Sequence, residues 1–168
     1  MTKKSSKKKA GKAAKTNAAR LLDQNNIAYE CLIYEVDPDD LAAESTAEKL
    51  GLAPNQVFKT LVVRGDRAGI CFAVIPANTQ LDLKALAKIS DNRKATPVAL
   101  KDVQPLTGYI RGGVTALASK KDYPVYVHDT MPTFDKIAVS AGKRGLMLWL
   151  FPQDYIQIAQ ATVGAIAQ

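Results

Sequence analysis

The sequence has little of what nucleophilic or metal-dependent enzymes ordinarily display. It holds a single histidine, His128, and two cysteines, Cys31 and Cys71. There is no Gly-x-Ser-x-Gly, no His-Glu-x-x-His, no Cys-x-x-Cys, and no Gly-Lys-Ser/Thr turn after a strand-like run. These absences argue against a nucleophile elbow, a zinc hydrolase, a redox dithiol and a P-loop. The carboxylates are scattered through turns and helices, with no pair that spacing alone brings together. Asp129 could orient His128 for base work, but both close a strand-like run, where a surface or capping role is commoner. The cysteines sit in the apolar runs Ile27–Ile33 and Ile70–Pro76, which suits buried, reduced thiols better than zinc or a disulfide framework. No apolar run approaches the roughly 18 residues of a membrane span. The N-terminal stretch has no apolar h-region, so neither a secretory signal nor an anchor is expected, and a cytoplasmic location is.

Acid is missing from the first 20 residues, which carry Lys3, Lys4, Lys7, Lys8, Lys9, Lys12, Lys15 and Arg20. The other 15 basic residues face all 16 acids, so the net charge of +7 belongs to this segment and the body is near −1. Built from Lys, Ser, Ala and Gly, residues 1–15 cannot bury a face and are expected to form a disordered basic arm. Such an arm gives salt-sensitive, sequence-blind affinity for nucleic acid, or serves only as a solubilising tail. Residues 16–168 are long enough for one domain with a substantial core.

Within that body the least expected residue is Lys59. Gln56–Val63 reads as a strand, opened by Pro54-Asn55 and closed by Gly65-Asp66. Alternation puts Lys59 on one face with Val57, Leu61 and Val63, and Phe58, Thr60 and Val62 on the other. An ammonium on an apolar face either snorkels to water along its own stem, or lines a pocket that receives an anion or a carbonyl oxygen. The residues alone favour the first reading, because snorkelling lysines are common.

Elsewhere, Asn17–Asn26 reads as a helix and Ile27–Tyr34 as a strand. Ser45-Thr46-Ala47-Glu48 fits a capping box, with Gly51 stopping the helix that follows. Gly65–Gly69 turns the Lys59 strand back through Ile70–Ile75 as a hairpin. Asp82 is placed to cap Leu83–Ile89, and Thr96-Pro97 to start a helix over Val98–Val103. Thr107–Val114 is a strand-like run in which the paired Gly112-Gly113 signals a bulge or a close backbone approach. Short strands follow at Val125–His128, Ile137–Ser140 and Leu146–Phe151, and Pro152 starts a terminal helix. Helices and strands mix without strict βαβ alternation, so a mixed α/β fold with a curved sheet and flanking helices is expected.

The remaining polar groups are donors: Lys59, Thr60, the Gly112-Gly113 backbone, Ser140 and Lys143-Arg144. Such a set could hold a phosphodiester or a carbonyl without supplying a nucleophile. The ordered fragments Leu50-Gly51-Leu52, Val57-Phe58-Lys59-Thr60-Leu61, Gln80–Lys84, Thr107–Gly113 and Ser140–Leu146 resemble the YbaK/EbsC family of trans-editing aminoacyl-tRNA deacylases. The likeness extends from about Asn17 to the C-terminus, and is nearest the branch that acts on Cys-tRNA(Pro).

This resemblance implies a compact single domain around a barrel-like, highly curved sheet, with a pocket for the aminoacylated 3′ end of tRNA. It implies an enzyme without metal or cofactor, prolyl-tRNA synthetase as a partner, and release of Cys by attack of its own thiol on the ester. Lys59 and Gly112 then match the catalytic positions, and Tyr34, Thr60, Gly113, Ser140 and Arg144 the substrate-binding ones. For Ser140 and Arg144 a turn-stabilising role is an equal alternative, and Tyr34 could be core. Met147 stands where members often carry an acid, which bears on recognition of the amino group. A deacylase for Ala or another small amino acid, using water, and a non-catalytic tRNA-binding module are the alternative functions.

Overall fold

The computed structural model describes residues 15–168. The expected basic arm lies outside the described residues except for Lys15, which pairs with Asp23.

Helix α1 (Asn17–Gln24) begins where Thr16 accepts a hydrogen bond from the Ala19 N–H, and it sends Ala18, Ala19 and Leu22 into the core. Strand β1 (Tyr29–Ile33) follows. Helix α2 (Ala43–Leu50) ends at Gly51 in the left-handed conformation, φ 68°. Its start corrects the expected capping box. The helix begins two residues before Ser45, whose hydroxyl donates to the Asp40 carboxylate at 2.6 Å. Asp40 also accepts from the Ala42 N–H, so the loop acid, and not Ser45, organises the entry.

A 3₁₀ turn over Pro54–Gln56 leads into β2 (Phe58–Gly65), which pairs antiparallel with β3 (Gly69–Pro76) along its whole length. Asp82 caps α3 (Leu83–Ile89) by accepting from the Ala85 N–H at 3.0 Å. Thr96-Pro97 does not start a helix. Ala95–Pro97 is a short edge strand, β4, paired with the end of β2, and helix α4 (Leu100–Thr107) opens three residues later. An edge is where a residue without an N–H is tolerated, and proline also biases its predecessor towards extended backbone.

The run Thr107–Val114 forms no strand: Thr107 ends α4, Gly108 (φ 83°) closes it, and the Tyr109 hydroxyl then ties the following turns to the Leu117 carbonyl at 2.6 Å. Strands β5 (Val125–His128), β6 (Ile137–Ser140) and β7 (Leu146–Leu150) and helix α5 (Pro152–Ala159) fall where the sequence places them. The chain does not stop at that helix. A further strand, β8 (Thr162–Gly164), runs parallel to β5.

The strands form a three-stranded sheet, β1-β7-β6, and a five-stranded mixed sheet, β4-β2-β3-β5-β8. The expected mixed α/β single domain is found, with its strands shared between two sheets. A parallel bridge between Val57 and Ala138 joins them at the start of β2. The main core lies between the sheets, around Phe58, Val62, Phe72, Val139, Leu148 and Tyr155. A second cluster on the opposite face of β2–β3 gathers Val63, Ala73 and Ile75 beneath α3.

His128 takes the capping role. Its Nδ1 accepts from the Ile166 and Ala167 N–H groups at 3.2 and 3.1 Å, holding the C-terminal segment so that Ile166 closes the second cluster. His128→Ala would strand two backbone donors, each costing about 1–3 kcal/mol where it stays buried. The expected result is a lower melting temperature, with the earliest amide exchange at residues 162–168. Unchanged exchange there would show that β8 pairing alone holds the terminus.

Candidate functional site

The Ala77 N–H donates to the Val57 carbonyl at 2.7 Å, which fixes the alternation of the β2 backbone. Lys59, Leu61 and Val63 turn their backbone groups to β3, while Phe58, Thr60 and Val62 turn theirs to the other edge. That edge meets β6 only at the Val57 bridge and β4 only from Val63 onwards, with Val98 N–H reaching the Val62 carbonyl at 3.0 Å. Among the described residues no strand lies opposite Thr60 on this edge. Along this gap runs a cavity of about 720 Å³, within the roughly 300–1,000 Å³ that ligand pockets usually occupy.

Lys59 reaches into it. Its Nζ donates to the Ala77 carbonyl at 3.1 Å, its one hydrogen bond among the described residues. Around it the walls are chiefly apolar, including Val57, Leu61, Ala77 and Met147. Burial pushes the Lys59 pKa below the ordinary 10.5, and the charge of Glu44 partly opposes the shift. The lysine is therefore half-buried at a cavity wall with most of its donor capacity unspent.

Of the residues read from the sequence, Tyr34, Lys59, Thr60, Gly112 and Ser140 line the cavity, and Gly113 and Arg144 do not. Gly112, at φ 87°, presents a backbone N–H that no protein acceptor among the described residues takes. A Cβ there would also press on the Arg144 side chain at 3.3 Å. Gly113 instead spends its N–H on the Ile110 carbonyl at 2.9 Å, and a Cβ on it would sit 2.9 Å from the Lys143 Cα. This is the close backbone approach expected of the paired glycines.

Arg144 acts as the strut of that loop, its Nε donating to the Arg111 carbonyl at 2.8 Å. Ser140 accepts from the Gly142 N–H at 3.2 Å, a turn contact, at the cavity wall beside its ladder partner Met147. Thr60 departs from a simple pocket hydroxyl. Its Oγ1 is buried, faces the Tyr155 phenol and closes no hydrogen bond, so its backbone is what faces the opening. Tyr34 lies under the Lys49 ammonium, 6.0 Å from ring centroid to Nζ.

Two charged residues of the lining were not among those picked from the sequence, Glu44 and Arg111. Arg111 stands inside the glycine motif, and its neighbour Gly112 was the available signal. Glu44 carried none, because its place at the rim depends on how α2 packs.

No group of three or more His, Cys, Asp or Glu among the described residues could hold a metal ion. No described helix is long and apolar enough to cross a membrane. Neither cysteine lines the cavity, and burial pushes the Cys71 thiol up to about 11. The arrangement can therefore bind and polarise a carbonyl or phosphate oxygen, using the Lys59 ammonium and the Gly112 N–H as fixed donors.

Residues 37–158 match the family model of the aminoacyl-tRNA editing domain. "Putative Cys-tRNA(Pro)/Cys-tRNA(Cys) deacylase EbsC" of Enterococcus faecalis is 41% identical over 152 residues, covering 90% of this chain and 93% of its own. "Multifunctional Ser/Thr-tRNA deacylase ProXp-y" of Escherichia coli K12 is 26% identical over 144 residues, covering 83% of this chain and 84% of its own. Among solved structures, "a putative trans-editing enzyme for prolyl tRNA synthetase" superposes with a TM-score of 0.80 at 18% identity. It covers 93% of this chain and 99% of its own.

The lowered Lys59 pKa makes a prediction about stability. The unfolded chain keeps this proton up to about 10.5, whereas the folded one gives it up earlier. The charged lysine therefore opposes folding at every pH below its folded pKa, and the penalty fades as pH rises through that value towards 10.5. Lys59→Met should melt higher than wild type at pH 7, with the gap closing under alkaline conditions. A pH-independent gap would assign the effect to packing.

Proposed function

The chain belongs to the aminoacyl-tRNA editing domain family, and from that premise we propose that it is a trans-editing deacylase that removes Cys from mischarged Cys-tRNA(Pro). The observation that carries the reading is a half-buried ammonium and a glycine with an unspent N–H lining one largely apolar cavity, whose lining among the described residues includes neither cysteine nor histidine. The 41% identity to EbsC over 90% of the chain supports Cys as the amino acid and Cys-tRNA(Cys) as a second substrate.

In this mechanism the aminoacylated 3′ end of the tRNA enters along the open edge of β2. Its ester carbonyl turns towards Lys59 Nζ and the Gly112 N–H. The substrate thiol attacks that carbonyl carbon, forming a C–S bond. The C–O bond to the ribose breaks, the thiol proton goes to the departing ribose oxygen, and a cyclic thioester leaves. The protein supplies donors for the developing negative charge and a fixed geometry, the two contributions most effective in a water-poor site.

Tyr34, Thr60 and Ser140 would shape the walls, and Gly113 and Arg144 hold the Gly112 loop in place. Choice of tRNA would come from prolyl-tRNA synthetase in the cytoplasm, since the cavity is sized for an aminoacyl-nucleoside end and not for an acceptor stem.

A panel of Cys-, Ser-, Ala- and Pro-tRNA(Pro) tests this. Cys should be released fastest, and Ser far more slowly, because a hydroxyl is the weaker nucleophile at neutral pH. Lys59→Ala should lower the rate about 10²–10³-fold, the usual loss for one such donor. Cys31→Ala and Cys71→Ala should retain activity. Fast release of Ser or Ala would replace substrate-assisted cyclisation with a water-dependent reaction; Ser is among the amino acids in the name of the relative ProXp-y.

We also assign residues 1–15 to tRNA affinity and residues 16–168 to the editing domain. Lysines that meet phosphates without fixed geometry add affinity that salt removes. Deleting residues 1–15 should raise KM at low salt and flatten its salt dependence, with the single-turnover rate at saturating tRNA unchanged. A slower saturated rate would mean that the segment helps assemble the site.

A further inference from the structure

Charge around the cavity is unevenly divided. Two cations line it, Lys59 and Arg111, and one carboxylate, Glu44. Glu44 is exposed on the first turn of α2, and it makes no hydrogen bond or ion pair among the described residues. Among the described residues the lining offers no second anion, and Met147, which also lines it, is apolar and buried. Glu44 is nevertheless close enough to Lys59 for its charge to raise the lysine's pKa against the effect of burial.

An amino acid esterified to tRNA brings a positive charge of its own. Its α-ammonium sits on the carbon next to the carbonyl. If the carbonyl oxygen is turned to Lys59 and Gly112, the ammonium must enter within a few ångströms of a cation. Like charges at that range disfavour binding unless a carboxylate meets the incoming one. Glu44 is the lining residue able to do so, and it is unengaged.

We infer that Glu44 is the recognition group for the substrate's α-ammonium, so that this cavity selects esters with a free amino group and rejects N-blocked ones. The inference rests on the deacylase reading of the same cavity and adds a selection rule to it. Esters whose nitrogen is acylated, as in peptidyl- or formylated aminoacyl-tRNA, lose the charge that Glu44 attracts and bring bulk to the rim. The enzyme would thereby spare chains in elongation while clearing free aminoacyl esters. Glu44 also leaves the side-chain end of the amino acid to the apolar walls. Amino-group recognition and side-chain choice are thus separated in space.

The test uses the full chain and a hydrolysis-proof probe, 3′-deoxy-3′-(L-cysteinylamino)adenosine, with its N-acetyl form as the control. Calorimetry with wild type should give a dissociation constant about tenfold lower for the free amine than for the acetylated probe, the scale of one charge-assisted contact. Glu44→Gln, isosteric and at an exposed position, should erase the preference by weakening the free-amine probe alone. In turnover the same variant should raise KM for Cys-tRNA(Pro) with little change in kcat, and leave N-acetyl-Cys-tRNA(Pro) unaffected.

A preference that survives Glu44→Gln, equal weakening of both probes, equal binding of both by wild type, or no binding of either overturns the inference. A Glu44-dependent preference in a protein that does not deacylate Cys-tRNA(Pro) would uphold the amino-group subsite and sink the proposed reaction.

Discussion

The architecture depends on strand β2 serving two sheets with one outer edge. Backbone pairing to β3 is complete, but on the other side β6 bridges the strand only at Val57 and β4 pairs only from Val63. Continuous pairing on that edge would close the sheet and fill the space with side chains. The interruption leaves Thr60 with its backbone groups aimed at a cavity, where unpaired peptide groups are tolerated only if water or a ligand can reach them. An open edge of a few residues is also too short to recruit another strand, so a gap that would otherwise invite aggregation is confined to a pocket.

Lys59 gains its character from the same interruption. The cavity beside β2 gives its ammonium a place that is neither bulk water nor packed core. Here the head finds the Ala77 carbonyl and stops at the cavity wall, half-buried, with its pKa lowered by burial. The lysine is thus held at a depth where its charge is poorly solvated and its field is correspondingly strong. Gly112 lines the same cavity by a different device. A left-handed glycine, supported behind by Arg144 and tied next door by the packing of Gly113 on Lys143, presents an unspent donor. One donor is placed by a strand and the other by a turn that glycine alone adopts without strain, and both are fixed before any ligand arrives.

Much of this was legible in the residues, and the failures have physical causes. Alternation and turn chemistry gave the β2–β3 hairpin and the Asp82 and Gly51 helix boundaries, because those signals are local. The face shared by Lys59 and Val57 follows from the pleat alone. What escaped was decided by tertiary pairing. Ala95–Pro97 became a strand because β2 offered it an edge, and Thr162–Gly164 because β5 did. Ser45 looks like a helix cap until Asp40, five residues earlier, takes its hydroxyl. In the candidate site the motif residues were visible one by one, but not their division of labour. Arg144 supports a loop from behind, Thr60 offers backbone and buries its hydroxyl, and Glu44 enters the rim only through the packing of α2.

These placements bear on why a site without a nucleophile can suffice. A protein nucleophile requires a base to activate it and a partner to orient the base, and such polar chains are costly to bury unless every member is satisfied. Among the described residues the cavity lining holds no histidine or cysteine, and the donors it offers an oxygen are led by Lys59 on β2 and Gly112 in its turn. Such a site stabilises charge developing on an oxygen and leaves bond-making to whatever the substrate carries. Selection by chemistry follows directly. Under the proposed reaction an ester bearing an internal nucleophile at the right distance would react, while one of similar size without it would bind and leave unchanged. Discrimination between Cys and an isosteric Ser would then lie in the reactivity of sulfur against oxygen, which binding to an apolar wall could separate only weakly.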